Sequence, residues 1–338
     1  MKFIRKILLP FSLLYWLLMA MRNLFYNKGI FKSTEFTLPI IAIGNLSTGG
    51  TGKSPQTEYL IRLLKDKFRI ATLSRGYKRK STGYVLADAN ANASLLGDEP
   101  YQFYSKFPDI NVAVDADRTN GITELLSLEP KPEVIILDDA YQHRKVKAGF
   151  YVLLTAYGDI YSDDYLLPAG NLREGRSGAK RADVIIVTKC PSHLSGAKKQ
   201  GIIKKLRPLP NQKVYFTAIA YDTVVYNGVS HLNTIEVKAM KKVLVAGIAK
   251  PQPFFNHLKN ENDICLIYPD HHDFSDKDIK DILAAAKDKI IVTTEKDYVR
   301  LKGKLPSDKL FYLPIKTSFL DRGDEFDKAV LDFIADYK

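Results

Sequence analysis

Cysteine is scarce in this chain: two residues, Cys190 and Cys265, stand in 338. Neither sits in a metal-ligand spacing, which argues against a structural zinc site or a disulfide framework and suits a reducing compartment. Internal repeats and low-complexity tracts are missing, which argues against a repeat array. No apolar run reaches the about 20 residues that a membrane-crossing helix needs. The run from Ile7 to Met21 is short and contains Pro10 and Ser12. No recognised nucleic-acid-binding motif occurs, so nucleic acid is not the expected partner.

What the chain has is length, apolar content and positive charge. Its 338 residues suffice for two domains, and 46% hydrophobic residues can supply a sizeable core. Lys and Arg number 50 against 38 Asp and Glu, a formal charge of +12. That excess favours an anionic partner, such as an anionic membrane or a phosphorylated substrate. The N-terminal apolar run is flanked by Lys2, Arg5 and Lys6 before it and Arg22, Lys28 and Lys32 after it. A cleaved signal peptide has a similar start, but no small-x-small cleavage site follows. A buried helix of the soluble fold is the plainer alternative. The pattern best fits a helix over residues 1–32 that lies in a membrane interface, with Tyr15, Trp16 and Tyr26 at headgroup level and the cations against anionic lipid.

From residue 36 onward, short apolar runs alternate with amphipathic ones. "PIIAIGN", "RIATLS", "INVAVD", "EVIILDD", "GFYVLLTA" and "ADVIIVTK" read as buried strands, and "KSPQTEYLIRLLKDK" and "TNGITELLSL" as helices. The alternation predicts an α/β fold: a mainly parallel sheet flanked by helices. Near residue 207 two β-rich runs interrupt it, and it resumes at "KKVLVAGIA". The expected organisation is therefore a nucleotide-binding unit over 33–207, a β-rich linker over 208–238, and a smaller second α/β unit with a C-terminal helix over 239–338.

"GNLSTGGTGKSP", after the first strand and before a helix, has the context of a phosphate-binding loop. Ser47, Thr48, Gly49, Gly50, Thr51, Gly52, Lys53 and Ser54 are its candidate nucleotide contacts. The match is imperfect, because Ser47 stands where the usual spacing has glycine. A serine can serve there if its backbone is not left-handed. Lys53 would meet the terminal phosphates and Ser54 would meet Mg²⁺. Asp138 and Asp139, at the end of a buried strand, are the candidate acidic partners of that cation. Guanine specificity is disfavoured: "TKCP" at 188–191 ends in proline where a guanine-reading motif has aspartate. Two features could serve an acceptor hydroxyl: Asp98 at the start of a helix in "GDEP", and the pair His271 and His272 in "YPDHHDFS". Each also has a plain reading, as a helix cap or as surface loop. A membrane-attached ATPase or GTPase acting as a switch or motor remains the alternative to a kinase.

The ordered set "GNLSTGGTGKSP", "LSRGYKRK", "GDEPYQF", "DDAYQHRKV", "LLPAGNLREG", "GIAKPQPFF", "YPDHHDFS" and "TTEKDYVRL" spans residues 44–301. With the apolar N-terminus it resembles the tetraacyldisaccharide 4′-kinase family of lipid A biosynthesis, whose loop tolerates serine at the position of Ser47. The resemblance implies transfer of the γ-phosphate of ATP to the 4′-hydroxyl of a tetraacylated glucosamine disaccharide 1-phosphate, forming lipid IVA. It also implies a place on the cytoplasmic face of a bacterial inner membrane, peripheral or shallowly inserted. By motif match, Lys53 and Ser54 serve phosphates and Mg²⁺, and Asp138 and Asp139 form the metal-site pair. Asp98 matches the base and His271 its partner. Arg173 and Glu174 match a functional segment near the site, and Arg75 belongs to a plausible headgroup patch. The catalytic cleft is then expected between the two units, with closure completing it. Ala140 and Tyr141 depart mildly from the family's usual glycine and phenylalanine, which bears on local packing.

Overall fold

The computed structural model of the chain describes residues 5–270 and 272–337. His271 lies outside the described residues. Among them, nine strands form one sheet, in the spatial order Ile315–Phe319, Lys213–Tyr221, Val184–Thr188, Phe150–Ala156, Ile40–Asn45, Val134–Leu137, Ile70–Ser74, Asn111–Val114 and Val85–Leu86. The inner strands are all parallel, and each edge carries one antiparallel strand. Burial on both faces explains why the inner strands read as continuous apolar runs rather than alternating ones. Ile40–Asn45 is buried throughout and lies where chain order reverses across the sheet. Such a switch point opens a crevice at the carboxyl ends of parallel strands.

A second sheet contains His231–Asn233, Val224–Tyr226, Leu310–Leu313, Ile290–Thr294, Lys242–Ala246 and Ile264–Ile267, in that order. Four of these strands run parallel, and the first two form an antiparallel hairpin. The expected α/β class, two mainly parallel sheets with flanking helices, is present. Sheet membership departs from the expected boundaries at 207 and 238. Lys213–Tyr221, read from sequence as part of a linker, pairs in parallel with Val184–Thr188 in the first sheet. The chain's last strand and helix, expected with the second unit, also return to the first sheet. Ile315–Phe319 pairs with Lys213–Tyr221, and the helix Gly323–Ala335 sends Phe326, Val330 and Ile334 into the core that holds Ile41, Leu60 and Ile61. The second unit is thus inserted between residues 221 and 315. Local periodicity identifies a strand, but its sheet is chosen by non-local pairing, so the pattern alone placed these segments wrongly.

The N-terminal helix Leu9–Asn27 leans against the loop at 164–174. Its inner face is polar. Ser12 Oγ donates to Leu166 O at 3.0 Å and accepts from Ala169 N, and Tyr15 Oη donates to Arg173 O at 2.7 Å. Arg22 and Asn23 reach Gln142 O and Glu174 Oε2. The opposite face, with Phe11, Leu14, Leu18 and Met21 at helical spacing, is exposed. No described helix is long and apolar enough to cross a membrane.

Candidate active site

The phosphate loop joins Ile40–Asn45 to the helix Lys53–Leu64, whose buried Gln56, Thr57, Leu60, Ile61 and Leu64 recur at helical spacing. Positive φ in the loop falls at Gly49 (115°) and Gly52 (85°), where glycine avoids the Cβ penalty. Ser47 needs no such freedom. It is extended and pairs with Leu172 in an antiparallel bridge. Thr48 N–H donates to Asn171 O, and Arg173 N–H to Leu46 O, both at 2.7 Å. The segment 171–173 therefore runs as a rail beside the loop. On the other side Thr188 Oγ1 donates to Thr51 O at 2.6 Å, and the Lys189 ammonium donates to Gly50 O. The "TK" of the failed guanine motif thus braces the loop's backbone.

Lys53, the first residue of the helix, lies 3.5 Å from Asn45 Oδ1 and 3.6 Å from Asp139. Asp139 also pairs with Arg173 at 3.4 Å and holds a left-handed backbone, φ 48°. Asp138 is buried and accepts from Thr57 Oγ1 at 3.1 Å. Burial, then the neighbouring Asp139 and Glu99, push its carboxyl up to about 6. The acids can stand here because Gly44 has no side chain: a Cβ on it would lie 2.6 Å from the Tyr141 Cβ. Tyr141 itself is satisfied, its hydroxyl donating to Gly178 O at 2.8 Å and Arg181 stacking over its ring.

Asp98 opens the helix Asp98–Lys106, but it is not a cap; Gly97 holds that position. Its carboxylate pairs with Arg300 of the second unit, and the adjacent Glu99 pairs with Lys296 at 3.3 Å. The second unit therefore reaches Asp98 through the short helix Glu295–Leu301. His272, next to the undescribed His271, bonds Asp278 in its own unit at 3.0 Å.

Arg75 is exposed just past the end of Ile70–Ser74. The structure separates Arg173 from Glu174. Arg173 faces Asp139, whereas Glu174 is buried between Arg181, Gln142 and Asn23, with bonds of 2.8–3.1 Å to all three. Glu174 thus joins the N-terminal helix to the acid loop and does not face the cleft. Sequence reading missed several groups. Arg118 starts a helix after the strand Asn111–Val114 and is 3% exposed, with an unpartnered Nε. Burial lowers it to about 10, against the pull of Asp138 and Asp139. Its signal was present: it follows the carboxyl end of a parallel strand, as the acids do. Arg300 and Lys189 gave no local signal, because each acquires its place through a tertiary contact.

The arrangement can grip a polyphosphate in backbone amides and Lys53, hold a hard cation with carboxylates, and offer a carboxylate to a hydroxyl. Comparison with known proteins agrees. The family described as Tetraacyldisaccharide-1-P 4'-kinase matches residues 4–335. A tetraacyldisaccharide 4'-kinase of Flavobacterium johnsoniae is 60% identical over 99% of this chain and 98% of its own length. One from Parabacteroides distasonis is 44% identical over 97% of this chain and 94% of its own. The crystal structure of LpxK from Aquifex aeolicus in complex with ATP superposes with a TM-score of 0.79 at 31% identity, covering 98% of this chain and 99% of that one. The chain belongs to the tetraacyldisaccharide-1-phosphate 4′-kinase family.

Proposed function

We propose that this protein transfers the γ-phosphate of ATP to the 4′-hydroxyl of a tetraacylated glucosamine disaccharide 1-phosphate, giving lipid IVA. The observation that carries this reading is the meeting of the phosphate loop and the Asp138–Asp139 pair, with Glu99 beside Asp98 close by, at the carboxyl ends of the central strands in a chain that matches the family over nearly its whole length. The loop amides and Lys53 hold the β- and γ-phosphates and neutralise their charge, the main demand of phosphoryl transfer. Ser54, Asp138 and Asp139 suit Mg²⁺, which takes a few oxygen ligands and completes its shell with phosphate and water. Bound there, Mg²⁺ would supply charge neutralisation between the phosphates. Asp98 accepts the hydroxyl proton once Arg300 has moved from it, and His271 remains the family-implied partner. Arg173, Arg75 and Arg118 line the approach to the phosphates with positive charge.

The N-terminal helix seats the protein on the cytoplasmic face of the inner membrane, with Phe11, Leu14, Leu18 and Met21 among acyl chains and the basic residues at anionic headgroups. Its inner face stays bonded to the active-site rail, so the acylated substrate meets the site at the bilayer surface.

The test is transfer of label from γ-labelled ATP to the acylated disaccharide 1-phosphate in detergent. Labelled lipid is expected, with strong loss in Lys53→Ala and Asp98→Ala and a substantial loss in His271→Ala. ATP hydrolysis indifferent to the lipid, with no labelled product, would instead favour the ATPase switch. Deleting residues 1–22 should lower recovery with anionic vesicles; unchanged partitioning would reject the interfacial helix.

A further inference from the structure

The helices Asp98–Lys106 and Glu295–Leu301 lie side by side across the junction of the two units. The start of each meets the end of the other: Asp98 pairs with Arg300, and Lys106 with Glu295. The two ends of this seam differ. At the cleft end, the Asp98 and Glu99 carboxylates are each 28% exposed, Lys296 is 36% exposed and Arg300 is 13% exposed. At the far end, Lys106 lies between two carboxylates, Glu58 at 1% and Glu295 at 6% exposure.

Each member of this buried triad is held more than once. Lys106 donates to Glu58 at 2.7 Å and to Glu295. Glu58 also accepts from Gln102 at 2.8 Å and Arg62 at 2.7 Å. Glu295 Oε2 accepts from Ile315 N at 3.1 Å. Ile315 is where the chain re-enters the first sheet. Beside it, Lys316 pairs with Asp222 at 2.6 Å, and Asp222 N bonds Pro314 O. The triad therefore sits where both chain crossings join the units. Between the two ends, the seam holds a cavity of about 40 Å³ lined by Tyr101, Gln102, Lys106, Glu295 and Tyr298.

We infer that the Glu58–Lys106–Glu295 triad is the fixed pivot between the two units, and that Lys106 is a positioning residue for Asp98. The inference rests on Asp98 acting as the base. Glu58 belongs to the phosphate-loop helix, so its bonds to Lys106 and Gln102 fix the distance from the loop to the helix of Asp98. Glu295 attaches the second unit to the same ammonium. From Lys106 to Asp98 the helix spans about 12 Å, at about 1.5 Å per residue. A rotation of about 10° on that arm shifts the cleft end by about 2 Å, enough to part Arg300 from Asp98 while the pivot stays closed. One cation between two carboxylates suits this role, because two buried carboxylates sharing one ammonium resist separation better than the partly exposed carboxylates of Asp98 and Glu99.

The test uses the full-length protein with ATP and the acylated disaccharide 1-phosphate. Spin labels at Lys204→Cys and Ile235→Cys, with Cys265→Ser, report the distance between the units. In Lys106→Met, kcat should fall at least about tenfold as Asp98 is misplaced, with a broadened distance distribution. Affinity for ATP should stay within about threefold of wild type. Lys106→Arg should restore both readouts. Glu295→Gln keeps the shape and hydrogen-bonding capacity of the site and carries the test if Lys106→Met does not fold; it should broaden the distribution and lower kcat by about fivefold. An unchanged distribution in the folded variants overturns the pivot, and a broadened distribution with wild-type kcat overturns the positioning role. Failure of the base assignment would show separately, as near-wild-type transfer by Asp98→Asn.

Discussion

Around the nucleotide loop the contacts are made largely by backbone: Thr48 to Asn171, Arg173 to Leu46, and Thr51 and Gly50 accepting from Thr188 and Lys189. Around Asp98 the contacts are charged side chains drawn from the other unit, Arg300 and Lys296. The first side is a rigid cradle built at one strand–helix junction. The second exists only while two units are held together, and its pairs are partly in solvent. One side therefore depends on a single strand–helix junction, and the other on how the two units sit against each other.

The largest effect expected from breaking either side is on the chemical step. Lys53→Ala should lower kcat by about a thousandfold, the scale of losing a preorganised charge in phosphoryl transfer. Asp98→Asn should lower it by about a hundredfold or more, leaving ATP affinity near wild type. Steady-state label transfer measures both. Glu174→Ala is expected to act elsewhere. Removing the carboxylate from the buried Arg181 should destabilise the fold by about 3–5 kcal/mol, read by denaturant melts, without a selective rise in KM for the acceptor.

A smaller effect should come from pH. Burial raises Asp138 to about 6, so the folded chain holds that proton more tightly than the unfolded one. The stability it contributes is complete below about pH 4 and is lost as pH rises through about 6. The ionised carboxylate that a cation needs forms over the same window. Mg²⁺-dependent ATP binding should therefore strengthen between about pH 5 and 7, by at most about tenfold per unit, while the melting temperature of the ligand-free protein falls. Asp138→Asn should flatten both trends in titration calorimetry and thermal melts. The smallest effect belongs to Ser47→Gly. Restoring the usual glycine should change KM for ATP by less than about twofold and stability by about 0.5–1 kcal/mol, because Ser47 is already extended against Leu172.

The same contrast explains how much could be read from sequence. The cradle was legible because its parts are contiguous: strand, glycines, Lys53 and helix follow one another, and Asp138–Asp139 end a second apolar strand. Asp98 was singled out by its motif, but the partner expected for it, His271, lies outside the described residues, and the described partner, Arg300, was not foreseen. The helix that carries Arg300 was hidden. It has seven residues and starts at Glu295, directly after Thr294 ends a strand and caps it, so the preceding apolar run masks its beginning. Glu174 was legible as important but not as buried, since nothing local shows that Arg181, Gln142 and Asn23 converge on it. The return of residues 315–337 to the first sheet was likewise hidden, because it depends on pairing with a strand about 100 residues earlier.

That return has a consequence for the order in which the protein is born. The helix that carries the phosphate loop is backed by segments made long after it: Tyr59 packs on Phe319 and Phe326 and bonds Asp327 at 2.8 Å. Lys53, Asp98 and Asp138 have all left the ribosome before that backing is synthesised. A chain stopped near residue 310 would carry the phosphate-loop helix with a bare apolar flank. With Tyr59 uncovered, such a chain would be a client for chaperones and proteases before it was a settled fold.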